Sequence, residues 1–449
     1  MRKYLFMFST LLMSGTMLSC SSTEDIDLGE AKQVVNMLSE SEPIQLTQEQ
    51  QVFANDNNGF TLNFLKTVND VDKSGKSFIY SPLSITYVLG MVNDAATGQT
   101  EQELEQTLGF HKGGIQAVND YCKKLIDGLP KVDNKVTLNI ANALFVNKNR
   151  AKLMSQYQQD MKQYYDANAE NLDFNSSSAL NTINGWCNDH TNGMIPKILD
   201  DIDPETLTYL LNAIYYKADW ASKFDQKNTK TEEFLSENHE KVLKEVPMMH
   251  QNVLIRYLKN DTYSAIEMPY GNGYWNMTVM LPEEGKTTDD IISYLAEIGW
   301  SKDYIIGGDG LCTPITAMYG AIPHEVDLKL PRFETVSDTD ELDIENGLVG
   351  LMKKMGINLA FDSYFAEIPN MCEKDNVYIS MMRQKAKIKV NEEGSEAAAV
   401  TIAGTKFTTS VGEPVEYPKA TFHANRPFVY VIREASSGVI LFVGKFTGV

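Results

Sequence analysis

Apolar positions along the chain change their period twice, and that sets the expected fold. From about Thr47, Phe53, Phe60 and Phe64 recur near helical spacing and predict an amphipathic helix. Ser81-Pro82 reads as the entry to a second helix, because Ser caps and Pro suits the first turn. Thr100-Glu101-Gln102-Glu103 reads as the cap of a third, the hydroxyl and later carboxylate meeting free N–H groups. Val136–Val146 is strand-like, and Leu207–Tyr216 is an apolar run suited to a strand buried on both faces. Ala265–Tyr270 and Trp275–Leu281 flank the turn signal Gly271-Asn272-Gly273. Val326–Leu330 alternates, as do Ile388 and Val390. Phe428–Arg433 and Val439–Phe446 read as a hairpin turning at Ser437-Gly438. Helices dominate the first half and strands the second, which is an α+β pattern rather than a regular βα alternation.

Gly394–Pro418 fits none of these periods. It separates a strand from the closing hairpin and runs for about 25 residues, a length that in a compact domain usually carries function. Its first half is built from small residues.

Composition narrows the class. Hydrophobic residues make up 43%, as in a globular protein. A formal charge of −20 opposes nucleic-acid binding, which needs a basic face. No C-x-x-C pair occurs among the five cysteines. Cys122, Cys187, Cys312 and Cys372 are scattered, so either bridges or buried thiols fit them, thiols being the simpler reading. Arg2 and Lys3 precede an apolar stretch, Tyr4–Leu18, too short to span a bilayer comfortably. Met17-Leu18-Ser19-Cys20 then resembles a bacterial lipoprotein signal, with Met17 where Leu is usual; an ordinary cleaved signal peptide is the alternative. The expected organisation is a signal over 1–19, a lipidated Cys20 and acidic tether over 20–45, and one folded domain over 46–449. Ser21 is compatible with sorting to the outer membrane, facing either side.

No motif supports an enzyme. His111, His190, His239, His250, His324 and His423 lie in no H-E-x-x-H motif, and there is no G-x-S-x-G elbow and no Walker A loop. Gly271-Asn-Gly lacks the third glycine of a dinucleotide fingerprint. Neither a metal nor a cofactor is expected. Met248-Met249, Tyr164-Tyr165 and Tyr215-Tyr216 read as packing residues.

The odd segment carries a family resemblance. Asn391-Glu-Glu-Gly-Ser-Glu-Ala-Ala-Ala-Val-Thr401 is similar to the proximal hinge of inhibitory serpins, and Phe422-His-Ala-Asn-Arg-Pro-Phe428 to that family's C-terminal signature. Tyr80-Ser-Pro-Leu-Ser-Ile85, Thr97-Gly-Gln-Thr-Glu-Gln-Glu103, Ala141-Asn-Ala-Leu-Phe145, Ile183-Asn-Gly-Trp186, Leu211-Asn-Ala-Ile-Tyr-Tyr-Lys217, Trp220, Val246-Pro-Met-Met249 and Leu330-Pro-Arg-Phe333 agree in order and spacing. The resemblance covers about 47 to the C-terminus. It departs at Ser77, where the family often has Asn, and at Gln384, where it often has His. Residues 301 to 324 look like an insertion.

The resemblance implies helices packed on a large central sheet with two further sheets and an exposed reactive-centre loop, about 392–418. It implies a monomeric protease inhibitor that forms a covalent complex with its target. The hinge comprises Glu392, Glu393, Gly394, Ser395, Glu396, Ala397, Ala398, Ala399 and Thr401. On entering a dense sheet, alternate residues face inward. These are Ser395, Ala397, Ala399 and Thr401, all small, while Glu396 faces out. Ser77, Ser81, Ser84, Asn212 and Gln384 belong to the shutter beneath the sheet, a cluster that cannot titrate with Gln at 384. Lys217 and Trp220 lie where the sheet opens. Counting from Gly394 sets the scissile bond at Thr408-Thr409, with Phe407 or Lys406 as alternatives; counting back from Phe428 gives a bond near Glu413. Thr408 suits an elastase-like protease, Phe407 a chymotrypsin-like one and Lys406 a trypsin-like one; a papain-like cysteine protease is a further candidate. The rival within the family is a non-inhibitory carrier or chaperone, which often has bulky or charged hinge residues that this hinge lacks.

Overall fold

A computed structural model describes residues 42–111, 113–300, 304–306, 312–314, 321–374, 377–395 and 416–448. The signal, Cys20 and most of the tether lie outside them. So do Glu396, Ala397, Ala398, Ala399, Thr401, Lys406, Phe407, Thr408 and Thr409.

In chain order the helices are α1 (Gln48–Val71), α2 (Pro82–Ala95), α3 (Gly98–Leu108), α4 (Gly114–Gly128), α5 (Ser155–Tyr165), α6 (Ser177–His190), α7 (Thr288–Ile298) and α8 (Gly347–Met355). The strands begin with β1 (Phe78–Tyr80), β2 (Thr137–Asn147), β3 (Asn168–Leu172), β4 (Thr208–Asp219), β5 (Lys230–Leu235) and β6 (Val242–Lys259). There follow β7 (Tyr263–Tyr270), β8 (Trp275–Pro282), β9 (Tyr304–Ile306), β10 (Cys312–Pro314), β11 (Ile322–Pro331) and β12 (Phe333–Asp338). The last are β13 (Met381–Val390), β14 (Gly394–Ser395), β15 (Lys419–His423), β16 (Phe428–Glu434) and β17 (Ile440–Phe446).

Local chemistry accounts for the helix starts. Thr47 and Gln50 form a reciprocal capping box at α1, and the Ser81 hydroxyl accepts from Ser84 N ahead of Pro82 at α2. The third cap differs from the expectation. Helix α3 starts earlier, after Thr97, which makes no side-chain cap. Thr100 is buried within the helix, where its hydroxyl accepts from Glu367 N at 3.0 Å, while the Glu367 carboxylate accepts from Gln99 N at 2.7 Å. A distant segment thus caps this helix, which local sequence cannot reveal.

The strands form a six-stranded sheet in the order β12-β13-β14-β4-β2-β3 and a nine-stranded one along β1-β17-β16-β8-β7-β6-β11-β15, with β5 also on β6. Strand β6 joins the parts of the larger sheet: its first half pairs β5 and its far end pairs β7. β9 and β10 pair separately inside the 301–324 stretch. Segment 419–423, to which the sequence assigned no element, is strand β15, parallel to β11.

The main core fills the space between the sheets and around α2, whose residues are buried almost throughout. A second, smaller core lies on the other face of the six-stranded sheet, where Ile183, Trp186 and Cys187 of α6 cover Ala143, Phe145, Leu211 and Ala213. Strand β4 is therefore buried on both faces, as its unbroken apolar run requires. Met248, Met249, Tyr165, Tyr215 and Tyr216 are buried packing residues. Cys122, Cys187 and Cys372 are buried free thiols, which burial pushes up to about 12. Among the described residues no helix is long and apolar enough to cross a membrane.

Candidate functional site

The site is a half-open seam between β4 and β13. These parallel strands pair directly only from Met381↔Tyr209 to Lys385↔Ala213. Beyond that rung they diverge, and Gly394-Ser395 sits between them, antiparallel to both, with Ser395 opposite Val390 on one side and Ala218 on the other. Glycine is required at 394: φ is +152° and a Cβ would overlap the Ala218 carbonyl oxygen.

Anchors hold this short strand. Asn391 reverses the chain, its Oδ1 accepting from Glu393 N at 3.0 Å and Gly394 N at 3.3 Å. Trp220 donates from Nε1 to Asn391 O at 2.9 Å and from its backbone N to Glu393 O at 2.8 Å. The Glu392 carboxylate, 2% exposed, accepts from Arg332 Nε at 3.2 Å and Nη2 at 2.5 Å and from Thr229 Oγ1 at 2.7 Å. Burial would raise its pKa, but the Arg332 and Thr229 bonds outweigh that and hold it below the usual glutamate range. Glu393 pairs with Lys223 at 2.7 Å, and Lys223 also reaches Asp219 at 2.8 Å. Burial opposes the Lys223 charge, yet the two carboxylates raise its pKa. The Ser395 hydroxyl lies 2.8 Å from Tyr270 OH, and Tyr270 stacks on Trp220 with centroids 4.3 Å apart. Ser395 therefore faces inward, as alternation requires.

The shutter residues meet at the closed end of the seam. Gln384 stands opposite Asn212 one rung before the strands part. Its Nε2 donates to Asn212 Oδ1 at 3.1 Å and to Ser81 O at 3.0 Å, and its Oε1 accepts from Ser81 N at 2.9 Å. Ser81 and Ser84 hydroxyls lie 2.9 Å apart, and Asn212 Nδ2 donates to Asn142 Oδ1 at 2.9 Å. Glutamine thus joins three elements. Ser77 is a correction: it makes none of these bonds, because it precedes β1 and its Oγ accepts from Thr447 N at 3.0 Å. Lys217 lies on β4 beside the opening but makes no hydrogen bond to the hinge among the described residues.

Sequence reading missed several partners. Thr339 Oγ1 accepts from Gln384 N at 3.0 Å, and Arg383 binds Asp338 at 2.9 and 2.6 Å beside it. Arg332 stood in the quoted Leu330-Pro-Arg-Phe333 block without an assigned role. Lys223 and Tyr270 gave no signal, since each meets the hinge across more than a hundred residues of chain.

Comparison with known proteins agrees with this geometry. The family model described as Serpin (serine protease inhibitor) matches residues 55–448. Serpin B6 of Macaca fascicularis is 30% identical over 407 residues, covering 88% of this chain and 99% of that protein. The crystal structure of a thermophilic serpin, tengpin, in the native state has a TM-score of 0.74 at 25% identity, covering 91% of this chain and 96% of tengpin. Thyroxine-binding globulin in complex with thyroxine has a TM-score of 0.70 at 25% identity, covering 88% of this chain and 98% of that one.

Proposed function

The chain belongs to the serpin family, and from that premise we propose that it is a protease inhibitor consumed in its own reaction. The observation that carries this reading is the seating of Gly394-Ser395 at the open end of the seam. Continuing that register would set Ala397 opposite Ile388 and Tyr216, Ala399 opposite Ala386 and Ile214, and Thr401 opposite Gln384 and Asn212. All six of those neighbours are buried. The inward path therefore suits the small residues this loop carries, and Thr401 would arrive at the rung that Gln384 and Asn212 now close. Insertion would part their bond.

In the proposed reaction, the protease serine oxygen attacks the Thr408 carbonyl carbon. The C–N bond to Thr409 breaks, the Thr409 amine takes the proton, and an ester links Thr408 to the enzyme. The freed loop enters the seam. From Ser395 to Thr408 is about 14 residues, on the order of 45 Å of strand, enough to carry the enzyme to the far pole. Distortion of the enzyme there prevents water from completing hydrolysis. A target of elastase-like or chymotrypsin-like specificity follows from Thr408 and Phe407, and a papain-like cysteine protease would form the equivalent thioester. A carrier role is disfavoured by the small hinge residues. We further propose that the protein acts as an exported monomer, anchored to the outer membrane through lipid on Cys20.

The test is incubation with elastase, chymotrypsin and papain, then a denaturing gel and mass spectrometry of the released peptide. A detergent-stable adduct and a peptide starting at Thr409 are expected. Clean cleavage without adduct overturns the inhibitor reading. The intact mass of the mature N-terminus reads the lipid on Cys20.

A further inference from the structure

Residues 219–224 leave the end of β4 as a short turn that grips the hinge on one side and β7 on the other. Trp220 N donates to Glu393 O at 2.8 Å, Phe224 N to Glu392 O at 3.0 Å and Trp220 Nε1 to Asn391 O at 2.9 Å. On the other side, Ala221 N donates to Pro269 O and Gly271 N to Asp219 O, both at 2.9 Å. The turn is thus braced on β7 and stays in place when the hinge moves. The seated strand β14 is two residues long, and its Gly394, at φ +152°, has no Cβ to limit rotation. Glu393, the residue before that swivel, is held twice: its carbonyl accepts from Trp220 N, and its carboxylate accepts from Lys223 Nζ at 2.7 Å. Lys223 Nζ also binds the carboxylate of Asp219, the rung partner of Gly394, at 2.8 Å. The two carboxylate oxygens therefore lie at most 5.5 Å apart, the sum of the two bonds. All three groups are part-buried, where charges are weakly screened. Two carboxylates so close repel each other unless a cation stands between them. Without the ammonium, the attraction that seats Glu393 turns into repulsion between the hinge and β4.

We infer that Lys223 is the positioning residue of a hinge clasp: standing between Asp219 and Glu393, it sets how much of the protein holds Gly394-Ser395 in the seam before any protease arrives. The clasp consists of described residues alone. Its use in trapping rests on the inhibitor reading, since a hinge already seated has only the rest of the loop left to insert. The backbone bonds from Trp220 and Phe224 fix where the hinge lies, and the lysine decides whether the carboxylate beside Gly394 is drawn toward β4 or driven from it.

Trp220, stacked on Tyr270 and bonded to Asn391, reports the seated hinge. The experiment measures acrylamide quenching of tryptophan emission in the full chain at low and high salt. At low salt Lys223→Gln raises the open-to-seated ratio roughly tenfold, read as a larger quenchable fraction. Lys223→Arg keeps the parent value. Glu393→Gln loses the attraction without creating repulsion and gives a smaller rise. Adding Asp219→Asn to Lys223→Gln brings the fraction back toward the parent. The gap between parent and Lys223→Gln narrows at about 1 M salt. A lysine that only packs would show neither the salt dependence nor the relief by Asp219→Asn. Parent-like quenching in Lys223→Gln overturns the clasp, as does a rise that neither Asp219→Asn nor salt reduces. With protease added, the ratio of detergent-stable complex to cleaved inhibitor falls in Lys223→Gln and recovers in Lys223→Arg. A looser hinge that traps as well as the parent overturns the part of the clasp in trapping. A parent that gives no adduct removes the proposed function, while the quenching series still decides the clasp.

Discussion

Ser395→Arg tests the mechanism at the point of entry. Ser395 is 1% exposed, lies opposite apolar Val390 and Ala218, and shares its hydroxyl with Tyr270 at 2.8 Å. An arginine there loses that bond, worth about 1 kcal/mol. It must also bury a guanidinium facing the core, which costs several kcal/mol without a partner. The short strand β14 has few ladder bonds to set against this. The arginine therefore stays outside and the hinge leaves the seam. If about 3 kcal/mol of this appears in the barrier to insertion, entry slows roughly 100-fold. Hydrolysis of the acyl-enzyme then wins, and the variant behaves as a substrate. The assay counts inhibitor molecules consumed per protease silenced, with gel detection of adduct and Ser395→Thr as a control that keeps a small hydroxyl. Parent-like complex formation by Ser395→Arg would refute the reasoning, because it would mean that the side chain at this position never enters the sheet.

Three further outcomes are expected. Gln384→Leu strands Ser81 N and Asn212 Oδ1 in a buried site and lowers stability by about 2–4 kcal/mol in urea unfolding; unchanged stability refutes the bridging role. Glu392 has a depressed folded pKa, so its contribution is complete above the ordinary glutamate range and is lost as pH falls through the lowered folded value. The stability difference between the parent and Glu392→Gln should therefore shrink below about pH 4, and a difference constant with pH contradicts this. Cys122, Cys187 and Cys372, buried and raised to about 12, should resist a thiol reagent until the protein unfolds; rapid labelling of any of the three in the native state would show otherwise.

The sequence by itself determined the kind of those elements whose period and turn signals are strong. Period and turn chemistry are local, so α1, α2, the β7–β8 pair and the closing hairpin were legible from spacing and caps. The alternation of small residues after Gly394 also determined which side of an inserted strand would face in, because side chains in a strand change face at every step. Only the tertiary structure decided what those elements meet. The cap of α3 comes from Glu367, some 270 residues on, and the hinge anchors Arg332, Lys223 and Tyr270 come from separate parts of the chain. Ser77 and Ser81 stand four residues apart, yet only Ser81 reaches Gln384. The pairing of β4 with β13, and the rung at which they part, joins segments about 170 residues apart. Such contacts depend on how far the backbone closes a seam between packed faces, and no local pattern of residues carries that information.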